Sequence, residues 1–528
     1  MLKLEQMKLR PGQPEELLAG KAAHMLRVPP EDILELSVLR KAVDGRQPLR
    51  LVYTLAVQVR GEKAALRRCR DKNVTVYAPE HYTLPEPTAK APETPPVVVG
   101  AGPAGLFAAL ILANAGWKPV LLERGQPVEQ RQKDVAAFWA GGELNTESNV
   151  QFGEGGAGAF SDGKLNTGTK DLRHRWILEQ LVSCGAPESI LTDAKPHVGT
   201  DKLHAALKNL RQRLLDLGAD IRFGHRLEGI EVREDGLAAL TVSGPEGRYR
   251  LPARQMILAL GHSARDTVEG LYDQGLSMEA KPFAVGVRIE HLQSRMDAVQ
   301  YKEYAGHPAL PVSTYKLSCH LPGGRCVFSF CVCPGGEVVA AASEPRRTVT
   351  NGMSEYARDG ENINGGLLVN VTPEDFESGH PLAGIAFQRR LEEAAYRLGG
   401  GYTAPCQRVE DFLLHRGSTG CGSVKPSYRP GVRYADLHEC LPDFIADALE
   451  QALPVLDKKL PGFADGDALL TAVESRSSAP VRIPRDENYE SNIRGVFPCG
   501  EGAGYAGGIL SAAADGIRCA EKILAKIV

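Results

Sequence analysis

The sequence has no CxxC pair and no cysteine–histidine spacing that would seat a zinc ion. A zinc module and a thioredoxin-type motif are therefore excluded. No stretch approaches the ~20 consecutive apolar residues of a membrane span, and the opening MLKLEQMKLR alternates apolar and charged residues instead of building a signal-peptide core. The expected location is the cytoplasm, with no membrane partner. There the eleven scattered cysteines are expected to be free thiols packed as small apolar residues. An excess of either charge is missing too: 62 Lys and Arg stand against 65 Asp and Glu, a net charge of -3. Without a basic footprint, nucleic acid is not an expected partner.

What is present is glycine, 56 of 528 residues, with a hydrophobic fraction of 43% that can fill several cores joined by turns. Over residues 1–84 the apolar period switches between that of a strand and that of a helix in the order β-α-β-β-α-β. Leu2, Leu4 and Met7 read as a strand and PEELLAGKAAHML as a helix. ILELSVLRKAV and LRLVYTLAVQV read as strands paired about Asp44-Gly45, and GEKAALRRCRDK with VTVYAP completes a ferredoxin-like α+β accessory domain. Such domains can bind RNA, but the aromatic-rich signature of an RNA-recognition module is absent. Residues 85–96, PEPTAKAPETPP, form an extended Pro-rich linker.

The α/β pattern that follows is assigned to residues 97–266 and 476–528, interrupted by a β- and loop-rich insertion over 267–475. Gly100, Gly102 and Gly105 form GxGxxG directly after Val97–Val99 and before an Ala/Leu-rich helix that begins Pro103-Ala104. The first glycine permits the tight turn, the second lets the backbone approach a pyrophosphate, and the third lets helix and strand pack closely. Glu123, followed by Arg124, stands where an acid would accept from a ribose diol, and its charge disfavours the 2'-phosphate of NADP. This turn alone does not separate FAD from NAD.

The separation comes from the other end of the chain. There Gly495-Val496-Phe497-Pro498-Cys499-Gly500-Glu501 resembles the second FAD-contact motif of glutathione-reductase-like flavoproteins, in which an acid binds the ribityl chain. Most relatives carry Asp where this chain has Glu501. Gly507-Gly508 then opens a helix at Ile509 whose amides would face the flavin's pyrimidine edge. With NVQFGEGGAGAFSDGKLNTG, ILALGHSARDT, FSFCVCPGG, ESRSSAPVRIPRD and FPCGEGAGYAGGILSAAADGIR, the chain resembles a bacterial FAD-dependent dehydrogenase family of that superfamily over nearly its whole length.

The resemblance implies a Rossmann-type FAD domain, an inserted α+β cap or substrate domain, and oxidoreductase activity. It also places Gly155, Gly156 and Gly158 in a loop whose amides reach the flavin, Leu227 at the adenine, and Gly261-His262-Ser263 beside the dinucleotide. Lys164 and His262 are the candidates for catalysis, and Arg288, Lys425 and Arg482 are candidates for holding an acidic substrate. No second GxGxxG is present for a tightly held NAD(P), so a diffusible nicotinamide nucleotide or another redox partner is the expected companion of the small-molecule substrate. The expected function is transfer of a hydride or two electrons between a small molecule and FAD. The rivals are a redox-sensitive FAD-binding assembly module without turnover and a flavin-dependent RNA-modifying enzyme. Cys331 and Cys333 would face one way from a regular strand, with α-carbons about 6.6 Å apart, near the upper end for a disulfide. The expectation is that they are apolar filling and that FAD works without them.

Overall fold

The computed structural model describes residues 1–88 and 90–525; residue 89 of the Pro-rich segment and residues 526–528 lie outside the described residues. β1 (Leu2–Leu9), α1 (Leu17–Leu26), β2 (Ile33–Asp44), β3 (Arg50–Val59), α2 (Glu62–Arg68) and β4 (Val74–Val76) form a unit with its own sheet. Its strand order is β2-β3-β1-β4, every neighbouring pair antiparallel. Leu2, Leu4 and Leu9 meet Leu18 and Leu26 of α1 and Leu51, Tyr53 and Leu55 of β3 in a separate core. Lys41 exchanges backbone hydrogen bonds of 2.8 Å with Thr192 and Ala194 of the next unit. Beyond β4 the chain lies along the final helix, where the Tyr82 hydroxyl donates to Glu521 at 2.6 Å and Thr88 Oγ1 donates to the Leu524 carbonyl at 3.0 Å.

The next unit begins with β5 (Val97–Val99), α3 (Pro103–Asn114), β6 (Val120–Glu123), α4 (Val128–Trp139), α5 (Leu172–Ser183), α6 (Thr200–Asp216) and β7 (Asp220–Phe223). It continues through a small antiparallel sheet of β8 (Arg226–Arg233), β9 (Gly236–Gly244) and β10 (Gly247–Pro252), then β11 (Met256–Leu258) and α7 (Arg265–Asp273).

The chain then leaves through β12 (Glu279–Ala280), β13 (Phe283–Leu292), α8 (Gln293–Tyr301), β14 (Ser318–His320), β15 (Cys326–Cys333), β16 (Glu337–Ala340), β17 (Thr350–Met353) and β18 (Asn362–Val371). α9 (Ala383–Gly399), β19 (Ala404–Arg408), α10 (Val409–Leu413), β20 (Val432–Tyr434), α11 (Asp443–Lys459) and β21 (Leu469–Glu474) follow. Seven of these strands build one sheet in the order β14-β15-β18-β13-β21-β19-β20, while β16 and β17 pair with each other. Phe387 and Leu391 of α9 and Ile445, Leu449 and Leu456 of α11 pack in its core.

The chain returns through β22 (Val481–Arg482), β23 (Val496–Pro498) and α12 (Ile509–Ala525). β23 completes a five-stranded parallel sheet, β23-β11-β5-β6-β7. Its central strands are buried on both faces, which is why Val97–Val99 is a continuous apolar run. α3 buries ten of its twelve residues. It lies so close to α12 that a Cβ on Gly516 would stand 2.0 Å from the Ala104 carbonyl oxygen. Among the described residues, no helix is long and apolar enough to cross a membrane.

The seam between the two larger units is ionic. Glu392 of α9 has no solvent exposure and accepts from Arg265 of α7 at 2.7 and 2.9 Å, from Arg476 at 2.9 Å and from the Ser475 hydroxyl at 2.6 Å. Burial alone would raise its carboxyl, but Arg265 and Arg476 hold it well below the ordinary carboxylate range. Removing one member of a buried ion cluster leaves an uncompensated charge. Glu392→Gln should therefore lower the unfolding free energy by about 3–5 kcal/mol, read by urea denaturation of the FAD-loaded protein. An unchanged midpoint would mean that the seam does not depend on this charge.

Candidate functional site

A cleft opens at the carboxyl ends of β5, β6, β11 and β23, where parallel sheets place their ligands, and runs beneath the seven-stranded sheet. The glycine turn lies at its centre. Gly100 has a φ of +104°, and a Cβ there would lie 2.3 Å from the Ala259 carbonyl oxygen. Gly102 caps α3, and a Cβ there would meet only Gly156 Cα at 3.8 Å, so its open side faces the cleft. Pro103, Ala104 and Gly156 line the same wall. Gly105 and Gly155 do not. A Cβ on Gly105 would lie 1.8 Å from the Gly100 carbonyl oxygen and one on Gly155 2.4 Å from Leu207 Cδ1, so both stand behind the wall as packing glycines.

Glu123 is buried at the end of β6, and its carboxylate is already engaged. It accepts from Ala101 N at 2.8 Å, Gly125 N at 2.8 Å and Gly153 N at 2.9 Å. Two carboxylate oxygens offer about four lone-pair sites, so capacity for a further donor remains on a cleft-lining residue. Arg124 also lines the cleft, but its guanidinium is held by Glu147 at 3.0 Å and Asp266 at 2.8 Å over the Phe152 ring. Leu227 stands on the same wall, with its carbonyl accepting from Thr267 Oγ1 at 3.3 Å.

The C-terminal half supplies the facing wall. Gly500, with φ +72°, donates its N–H to Asp515 at 2.8 Å, and Arg485 grips Asp515 at 2.7 Å. Sequence reasoning missed this brace, although an aspartate inside the apolar helix ILSAAADGIR was its signal. Glu501 lies 3.6 Å from His262 Nδ1, while His262 Nε2 is buried with no hydrogen-bond partner among the described residues. Gly261 and Gly508, both at positive φ, have nothing within 4 Å of where a Cβ would stand, and Ile509 follows on the same wall. An open glycine cradle, two helix N-termini and an unpartnered buried imidazole nitrogen fit a dinucleotide.

The far end of the cleft is charged. Lys164 pairs with Asp162 at 3.3 Å and donates to the Val332 carbonyl; Asp162 is also held by Arg358 at 2.5 and 2.8 Å. Burial disfavours the Lys164 charge, but the Asp162 carboxylate leads the nearby negative charge that more than offsets it, raising its pKa. Glu474, Arg476, Asn351 and Cys331 share this wall. Burial pushes the Glu474 carboxyl up to about 7 against the pull of Arg288, 3.0 Å away. Glu474 was also missed, although it opens the segment ESRSSAPVRIPRD.

The three basic residues expected to hold a substrate are elsewhere. Arg288 has no solvent exposure and is occupied by Glu474 and Asn364, because a central-strand position buries its side chain. Lys425 is exposed, 3.2 Å from the Gly422 carbonyl, and Arg482 is exposed over the Tyr505 ring. None of them lines the cleft. Among the described residues, His415, His438 and Glu450 form a cluster of metal-type donors, also outside the cleft. Its His438 ring already bridges Asp436 and Glu450 at 2.6 Å each.

The glycine geometry separates cradle from scaffold. Gly102→Val should fold normally yet lose most bound FAD, because its side chain enters only the cleft. Gly105→Ala should destabilise the protein itself. Heat-released flavin and thermal unfolding measure the two, and full flavin content in Gly102→Val would refute the cradle.

Comparison with known proteins matches residues 93–135 to an FAD binding domain, residues 282–477 to the C-terminal domain of FAD-dependent proteins, and residues 1–60 to a domain of unknown function. An uncharacterized protein of Clostridium beijerinckii is 46% identical over 97% of this chain and 96% of its own length. A 12-dehydrotetracycline 5-monooxygenase/anhydrotetracycline 6-monooxygenase of Streptomyces rimosus is 29% identical over 30% of this chain and 29% of its own length. Among solved structures, Escherichia coli quinol fumarate reductase FrdA aligns at 13% identity over 82% of this chain and 70% of its own, with a TM-score of 0.38. A flavoprotein/dehydrogenase from Cytophaga hutchinsonii aligns at 12% identity over 82% and 80%, with a TM-score of 0.36. By its near-full-length identity to the Clostridium protein and its matched FAD domains, the chain belongs to that family of FAD-dependent flavoproteins, and FAD is its cofactor.

Proposed function

We propose that the protein is an FAD-dependent dehydrogenase or reductase that moves a hydride or two electrons between a small organic molecule and FAD. We read its parallel-sheet unit as a glutathione-reductase-like Rossmann domain, the seven-stranded unit as the inserted substrate domain and the first unit as a ferredoxin-like accessory domain. The sheet orders and the return of β23 to the parallel sheet support this reading. We place the protein in the cytoplasm on its composition, with a diffusible nicotinamide nucleotide or another redox carrier as its second partner.

One observation carries the proposal: the dinucleotide cradle continues, within one cleft, into a charged pocket containing a carboxyl that titrates near neutrality. Bound FAD supplies the two-electron chemistry. Gly102 would leave it room, Gly100, Gly156 and Gly500 line the same cleft, and Glu123, Glu501 and His262 offer acceptors and an unpartnered ring nitrogen. Lys164 supplies fixed positive charge where anionic character would develop. Glu474 can hold or release a proton at its carboxylate oxygen, the role expected of a group poised near the working pH.

A monooxygenase is the second reading, supported by the named activity of the Streptomyces relative over its matched segment. Anaerobic screening of metabolites for bleaching of the flavin band separates the two. The dehydrogenase reading expects a small molecule that reduces the flavin without oxygen and leaves as its two-electron oxidation product. A substrate that reacts only with oxygen and gains an oxygen atom would overturn it. With the reducing substrate, the rate should show an ionisation near pH 7 that disappears in Glu474→Gln, since Glu474 is protonated below and ionised above about 7. The charged or titratable groups facing it are Arg288, Cys333 and Cys331. Persistence of that ionisation in the variant would assign it to another group.

A further inference from the structure

The segment FSFCVC is not the regular strand its sequence suggests. β15 pairs Phe330 with Gly366 but Cys333 with Asn364, so three steps along β15 face two along β18, and one residue is extra. Cys331 takes up the bulge with a φ of +40°, a conformation that residues with a Cβ rarely adopt. Bulges re-aim side chains beside active sites, and this one puts Cys331, partly exposed, on the wall of the FAD cleft.

Cations on different elements pin the bulge. Arg288 of β13 donates to the Cys331 carbonyl at 3.0 Å and stands 3.7 Å from Cys333 Sγ, while Lys164 donates to the Val332 carbonyl. The turn that follows is wedged in place, since a Cβ on Gly335 would lie 1.9 Å from the Arg358 carbonyl oxygen. The Cys333 thiol donates to the Cys331 carbonyl at 3.3 Å. The neighbouring Cys333 thiol favours the Cys331 thiolate against burial, with Lys164 and Arg288 assisting and Glu474 opposing, so the Cys331 thiol falls below its ordinary range while that of Cys333 rises. Cysteines that merely fill a core behave otherwise: burial pushes both Cys406 and Cys440 up to about 12.

We propose that Cys331 and Cys333 are a dithiol–disulfide redox centre on the wall of the FAD cleft, exchanging two electrons with the flavin. In the oxidative direction the Cys333 S–H bond breaks and an S–S bond forms between the Cys331 thiolate and Cys333. The two electrons and the Cys333 proton reduce oxidised FAD to its anionic two-electron form. The reverse direction returns one thiolate and one thiol.

The proposal rests on FAD as cofactor and not on the identity of the substrate, and its test needs neither substrate nor turnover. The FAD-loaded protein is oxidised with diamide, freed of reagent and blocked with N-ethylmaleimide, before and after dithiothreitol. Mass spectrometry of the peptide containing residues 326–346 should show Cys331 and Cys333 alkylated only after reduction, with Cys326 alkylated in both samples. In anaerobic dithionite titration, the oxidised protein should take up twice the reducing equivalents per FAD of Cys331→Ser or Cys333→Ser, because the disulfide is a second two-electron couple. Equal alkylation of both cysteines before and after dithiothreitol would overturn the proposal. So would equal uptake by wild type and flavin-replete variants. If a variant fails to fold, the alkylation result on the unaltered chain decides alone.

Discussion

Glu392 is the point on which the two larger units are joined. Its two oxygens take both buried guanidinium groups at the seam, one carried by α7 beside the parallel sheet and the other by the strand exit after β21. Desolvating an ion costs several kcal/mol, and the mutual attraction offsets this only when the geometry is well satisfied. Here Glu344 adds a second negative charge at 2.6 Å from Arg265, so the cluster is close to balanced. Arg476 also donates to Ser263 Oγ at 3.2 Å, one residue from His262. The same cluster that closes the seam thus fixes part of the cleft wall.

The cleft is assembled from segments that are far apart in the chain. The glycine turn belongs to β5 and α3, the facing wall to β23 and α12, and the charged end to the loop carrying Asp162 and Lys164 together with β15 and β21 of the seven-stranded sheet. Carboxylates secure its backbone from behind. Glu123 gathers three amides from separate loops, and Asp515 pulls Gly500 toward α12. Anions at amide-rich turns satisfy donors that would otherwise be stranded.

Local signals were legible and tertiary ones were not. Gly102 and Gly500 could be read because a turn after an apolar strand has a short-range signature. Gly105 carries the same motif letter as Gly102 but contacts backbone instead of ligand space, a distinction that only helix–strand distance makes. Arg288 looks like any free cation in sequence, yet the strand pairing of β13 buries it against Glu474. Strand periodicity placed both thiols of FSFCVC on one face, whereas the bulge against β18 could not be foreseen from one strand alone. Glu474 took its unusual proton affinity from burial, which residue type does not announce.

The strand order of the parallel sheet also sets a schedule for synthesis. β11 ends at Leu258 and its neighbour β23 begins only at Val496, so the sheet waits for almost the entire remaining chain to leave the ribosome. Until then α3 lacks α12, the helix whose Gly516 packs against Ala104, and a nascent chain holds an apolar surface open through the translation of a whole intervening unit. A chain ending within the seven-stranded unit would therefore have the glycine turn but neither β23 nor α12 to close over it.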